Sequence, residues 1–291
     1  MRFYLQDSLK NFKWSSNLYL RWITQKLGGN IMAILTEGRL VPLVAFILAW
    51  IATYLAIQLG KQGKIRIRRI PGLDAIEEVV GRAVEMGRPV FDIIGMGSFT
   101  SIYATQTVAG LSILSYVATL CARLGAKLYA PQADVGVMPV AIELVRDAYR
   151  SEGKLEELDV DEQLPYLSGT QFAWAGGIIG MAARMKPAGN IMIGPFWAES
   201  MMFAESFNRA GSMQVGGTAR MYQIPFFAAV CDYVLIGEEI FAAGAYVSGD
   251  PLQIGSIASQ DWYKLVALIL GIIGALLATA NVPVIQNLLS M

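Results

Sequence analysis

The sequence predicts an α/β fold: a Rossmann-like, three-layer domain with a mostly parallel sheet, flanked by N- and C-terminal transmembrane helices. Three observations carry that prediction. Two long stretches lack any charge, one towards each end of the 291-residue chain. A cluster of basic residues follows the first of them. Between the two, short apolar runs alternate with helical patterns, and parallel strand neighbours require such helical crossovers.

Residues 1–39 mix Phe3, Tyr4, Phe12, Trp14, Tyr19 and Trp22 with Lys10, Lys13, Arg21 and Lys26. Rings beside cations suit the headgroup layer, so an amphipathic helix on the bilayer is expected, with a helix covering a protein neighbour as the alternative. The long apolar stretch starts too late for a cleavable signal peptide. Leu40–Leu59 then runs LVPLVAFILAWIATYLAIQL. At about 1.5 Å per residue this crosses roughly 30 Å of hydrocarbon, giving a transmembrane helix over 40–60. Lys61, Lys64, Arg66, Arg68 and Arg69 follow it. The positive-inside bias places that side, and the domain after it, in the cytoplasm of a multi-pass cell-membrane protein. LVALILGIIGALLATA, from Leu265, begins the second transmembrane helix over 265–286, and its uncharged tail fits translocation.

The central domain is expected over 66–262. Ile65–Ile70 (IRIRRI) reads as a short strand leading in, and Pro71 and Gly72 turn the chain. Leu73, Ile76, Val80 and Val84 share one face of a helix ended by Gly87. VFDII (90–94) is a buried strand, followed by a helix over 104–124 that Gly125 stops. AKLYA (126–130) is the next strand and 137–149 the next helix. The charged stretch 151–162 reads as an exposed linker or lid. Helix 171–185, strand NIMI (190–193) and helix 197–208 resume the alternation. A short strand over 211–215 closes at Gly216, Gly217 and Thr218, and a helical turn lies over 225–230. Strand YVLI (233–236) and helix 238–246 complete about five strands.

Composition excludes several functions. The chain has no histidine, so it holds no Ser-His-Asp triad, histidine base or histidine-ligated metal. A formal net charge of zero and the lack of an aromatic-and-basic groove argue against nucleic acid. Cys121 and Cys231 lie in apolar runs and read as buried free thiols. At 55% hydrophobic and 16% charged, the chain is more apolar than its spans alone explain. The surplus lies in residues 171–183 and 224–247, where Gly176, Gly177, Gly180, Ala182 and Ala183 allow close backbone approach.

Ligands of open parallel sheets sit at the carboxyl ends of strands. There the chain offers Gly95, Gly97, Ser98 and Thr100, then Gln132, Glu199 and Glu238, with Thr105, Gln106 and Thr107 nearby. The glycine turn lacks the third glycine of a dinucleotide fingerprint and the Gly-Lys-Ser/Thr of a phosphate loop. These glycines either cradle an anion or permit tight turns. Glu199, Glu205, Glu238 and Glu239 either line a polar pocket or serve helix N-termini and ion pairs, with Arg184, Arg209 and Arg220 as partners. The sequence specifies no cofactor, no metal and no catalytic residue.

The stretches IPGLDAIEEVVGRAVEMGRPV, YATQTVAGLSILSYVA, QFAWAGGIIGMAARMKPAGNIMIGPFWAES and CDYVLIGEEIFAAGAYVSGDP resemble an uncharacterised prokaryotic membrane-associated family carrying a domain of unknown function. The resemblance covers roughly Arg69 to Gln260 and leaves out the first span. It implies a shared architecture and supplies no mechanism. The leading expectation is a membrane-anchored cytoplasmic domain that self-assembles as a scaffold. A small-molecule or nucleotide-binding protein, including an enzyme working through carboxylates, is one alternative. An accessory subunit of an export or envelope-assembly system is another.

Overall fold

The computed structural model describes residues 40–65, 67, 68 and 70–280. The amphipathic segment 1–39 and the end of the second span lie outside the described residues. The chain divides into two compact units, Ala56–Ala258 and the helical stretches 40–55 with 259–280.

In the larger unit five strands form one parallel sheet: β1 (Val90–Ile93), β2 (Leu128–Tyr129), β3 (Gly189–Ile193), β4 (Met213–Thr218) and β5 (Tyr233–Ile236). Their spatial order is β2-β1-β3-β4-β5. Helices α2 (Pro71–Met86), α3 (Ala104–Leu124) and α4 (Met138–Ser151) lie in the first half of the unit. The single turn α5 (Val160–Gln163) precedes α6 (Gln171–Met185). Helices α7 (Glu199–Arg209), α8 (Ile224–Val230) and α9 (Glu239–Ser248) follow the later strands.

Local chemistry sets the ends. Pro71 occupies the first turn of α2, where its missing N–H is no loss, and Gly87 closes that helix in the left-handed region. Gly125 does the same for α3. Asp134 accepts the Gly136 and Val137 N–H groups before α4, and Asp159 caps α5 through the Glu162 N–H. Strand alternation sends side chains to two cores. Val90, Ile191, Val215 and Leu235 join α2, α3, α4 and α9. Phe91, Met192 and Val234 join α6, α7 and α8, around Trp174, Phe203, Phe207 and Phe227.

Three elements differ from expectation. Ile65, Ile67, Arg68 and Ile70 belong to no strand; Ile70 is the extended residue that starts α2. The fourth strand runs through both glycines expected to close it, because a Cβ at Gly216 would strike the Phe227 ring and one at Gly217 would crowd Ile240 and Leu235. The charged stretch 151–162 is a short 3-10 helix and α5, tied down where Glu162 meets Lys127 Nζ at 2.7 Å and Tyr129 Oη at 2.6 Å. Beyond it residues 163–167 strap the chain just past β2, and Gln163 Nε2 donates to Leu128 O of β2 at 2.8 Å. Ala130 N–H donates to Gln163 O at 2.7 Å, Gln132 N–H to Pro165 O at 2.9 Å, and Leu167 N–H to Gln132 O at 3.1 Å.

The long helices α1 (Leu40–Lys61) and α10 (Pro251–Thr279) carry the charge-free stretches. With α3 they are the three described helices long and apolar enough to cross a membrane. Burial separates them: 61% of the apolar window of α3 is inside the protein, against 11% for α1 and 0% for α10. So α3 is a core helix, and α1 and α10 keep apolar surface outward. Within the larger unit the last turn of α1 meets the first turns of α10 at glycine. A Cβ on Gly60 would fall 2.7 Å from Pro251 O, and one on Gly255 2.5 Å from Ile57 Cα.

Candidate functional site

The strand order reverses between β1 and β3, the place where open parallel sheets hold ligands. Here the protein's own backbone fills it. Gly95, at φ +79°, faces Pro195 O, and Gly194 faces Ile94 O, each too close for a Cβ. Met96 N–H donates to Pro195 O at 3.3 Å. Gly97 abuts Thr107 Oγ1 and, at 2.5 Å from an added Cβ, the Pro195 ring. Both glycines after β1 therefore serve closure of one turn upon the other. Ser98 and Thr100 hydroxyls lie 3.2 Å apart and bond to each other.

The other expected residues stand on separate elements. Gln132 is buried after β2 and donates to Ala130 O at 2.7 Å, holding the strap. Glu238 lies exposed before α9. The next residue, Glu239, accepts the Ile236 N–H at 3.0 Å and faces Arg68 at 3.8 Å. Glu205 pairs with Arg209 at 2.7 Å, one turn away on α7. Glu199 is fully buried, and amides hold it in place of an arginine: Gln171 Nε2 donates to one oxygen and the Trp197 N–H to the other at 2.9 Å.

The turns after β1, β3 and β4 meet around Arg220. Its guanidinium carbon lies 4.4 Å from the Trp197 ring centre and 4.7 Å from that of Tyr103. The two rings meet edge to face at 5.3 Å. Thr218 Oγ1 accepts the Arg220 N–H at 3.2 Å, and Gln106, from the first turn of α3, accepts the Ala219 N–H at 3.1 Å. Arg220 is only partly buried, yet its Nη1 is enclosed without a hydrogen-bond partner. Cation–π contact is worth about 0.5–2 kcal/mol, whereas a buried unpaired donor costs about 1–3 kcal/mol.

A second polar anomaly sits inside the sheet. Asp92, in the middle of β1, is 1% exposed and neither carboxylate oxygen has a partner. Burial pushes its carboxyl well above the usual carboxylate range. The Cys121 thiol on α3 is likewise pushed up, by burial and then by the Asp92 charge. On the opposite face Asn190 Nδ2 donates to Gln214 Oε1 at 3.1 Å, and Gln214 Nε2 to Ala204 O at 2.8 Å. Sequence reasoning passed over Asp92 although its signal was plain: one charge inside a five-residue apolar strand. Arg220 was expected only as an ion-pair partner of Glu199 or Glu205, which instead bond to Gln171 and the Trp197 N–H, and to Arg209; the rings that hold it come from two distant turns. Among the described residues no three Asp, Glu or Cys groups gather as metal ligands.

A groove of about 560 Å³ follows α3 between α4 and α9, lined by Phe99, Val108, Leu111, Val140, Leu144 and Val247. The Ser112 and Thr119 hydroxyls along it are spent on carbonyls of their own helix, at 3.1 and 2.9 Å. Tyr116 and Arg123, which also line it, bond to Glu77 at 2.7 Å and Glu152 at 3.1 Å.

Residues 31–289 match the family described as a domain of unknown function, DUF6754. The chain belongs to the DUF6754 family. The DUF6754 match takes in α1, the sheet and α10, so it is broader than the expected 69–260 and includes the first span. No curated protein and no solved structure matches the chain. DUF6754 membership assigns no reaction; the apolar helices α1 and α10 and the parallel sheet are consistent with a membrane-associated α/β domain.

Proposed function

We propose that this chain is a membrane-anchored scaffold: a Rossmann-like, three-layer domain, held on the cytoplasmic side between α1 and α10, that assembles with copies of itself. The observation that carries this reading is the outer surface of α6, α7 and α8. Phe172, Ala173, Gly176 and Ala183 of α6 face outward, as do Met201 and Met202 of α7 and Pro225, Phe226, Ala228 and Ala229 of α8. Charge on that surface is confined to Arg184 and Arg209, in the last turns of α6 and α7, and to Glu205, which pairs with Arg209. A surface so poor in charge is suited to contact with protein. The sheet edge beside it adds to the argument. β2 is bonded by Gln163 and the chain just past it is strapped, whereas β5 has only β4 as strand neighbour among the described residues and exposes Tyr233 and Ile236. The basic run after α1 supports the cytoplasmic side.

The test is the mass of the full chain in detergent, by light scattering after size exclusion with detergent mass subtracted. A defined oligomer is expected. Gly176→Arg should dissociate it without changing circular dichroism, since an added Cβ there meets nothing within 4 Å. Gly177 is the wrong probe, because its Cβ would press on Leu167 at 3.0 Å. A monodisperse monomer across micromolar concentrations would end the scaffold reading.

A further inference from the structure

We propose that Arg220 is the recognition group of a site for a small oxyanion-bearing ligand, carboxylate or phosphate, at the carboxyl ends of β3 and β4. The inference does not depend on self-assembly. Arginine stays charged at any physiological pH, so a guanidinium with one nitrogen enclosed and unpaired is incomplete. No carboxylate pairs with Arg220 among the described residues. Glu199, which accepts the Trp197 N–H, has its other oxygen engaged by Gln171. The structure nevertheless holds the cation in place. Trp197 and Tyr103 hold the guanidinium between two rings, Thr218 fixes its backbone, and Gln106 ties that turn to α3. A guanidinium held in place by rings loses little freedom on meeting an oxyanion, and its planar set of donors suits a carboxylate or phosphate.

Access and surroundings agree. Arg220 keeps part of its surface open, and the next two residues, Met221 and Tyr222, stand 79% and 82% exposed on the same rim. They offer an apolar chain and a ring to the body of a ligand whose anionic group reaches Arg220. A purely structural strut would explain the ring contacts and leave the unpaired Nη1 unexplained. The glycine turn after β1 has no part in this site, since it is closed upon Pro195.

The experiment is thermal unfolding of the full chain in detergent, followed by tryptophan fluorescence at fixed ionic strength. Chloride is replaced stepwise by phosphate in one arm and by succinate in the other. In wild type at least one arm should raise the midpoint in a saturable way, by about 5 °C or more at a hundredfold excess over Kd. The responding arm tells phosphate from carboxylate. Arg220→Met should abolish the shift and, in chloride alone, unfold no earlier than wild type, because the unpaired charge is gone. Arg220→Lys, which keeps the charge and loses the fork, should retain part of the shift. No saturable shift in either arm overturns the proposal. So does an equal shift in Arg220→Met, which would mark the anion as a general surface effect.

Discussion

Asp92 is the residue whose chemistry is most at odds with its place. In the unfolded chain its carboxyl titrates near 3.9, and in the folded protein burial lifts it well above that. Over that window the folded state keeps a proton that the unfolded state has released, so this group's contribution to stability falls as pH rises. Asp92→Asn keeps the shape and removes the titration. The variant should match wild type near pH 4 and exceed it increasingly above, by about 1–3 kcal/mol at pH 8. That corresponds to about 2–4 °C in unfolding midpoint for each kcal/mol. Midpoints that run parallel from pH 4 to pH 8 would show that Asp92 does not control this slope. The thiols follow the same logic. Burial and then Asp232 lift Cys231 to about 12, and Cys121 is lifted too, so neither is a ready nucleophile at neutral pH.

Among the elements, those with a periodic apolar face and a glycine stop were legible, because the same residues set both the pattern and the cap. α2 with Gly87 and α3 with Gly125 are such cases. β4 was cut short because glycine reads as a turn, while Gly216 and Gly217 are there to admit Phe227, Ile240 and Leu235. The strap over 163–167 was hidden behind a charged stretch, and no local pattern shows that a backbone will bond just past a strand some thirty residues back. At the carboxyl ends of the strands, where a ligand was expected, the glycine turn after β1 is closed upon Pro195, and the half-buried Arg220 stands against the Trp197 and Tyr103 rings. The meeting of α1 and α10 gives an element-scale test with an internal control. Gly255→Val should lower the unfolding midpoint by several °C, since overpacking costs about 1–3 kcal/mol and its Cβ would also meet Ala56 O at 2.9 Å. Gly271→Val, on the same helix with nothing within 4 Å, should change little. Equal effects of the two substitutions would mean that the close approach at Gly255 is not a stabilising contact.

At the scale of the whole molecule, the sidedness of the domain can be read by labelling. In a background with both cysteines replaced by alanine, Glu156→Cys should resist a membrane-impermeant maleimide in intact cells and react once the cells are opened. Reaction before opening would put the domain on the outer side, against the basic run after α1. The glycine contact between α1 and α10 has a further consequence for how the protein is made. A chain leaving the ribosome delivers α1 early and residue 255 only after every strand. β1 must wait for β3, which follows α3, β2 and the strap, before the middle of the sheet exists. Such non-local pairing is slow to form. During synthesis the apolar residues of β1 therefore stand uncovered until β3 is delivered. Exposed apolar surface of that kind favours aggregation, and the contact of Gly60 with Pro251 forms only after every strand has been made.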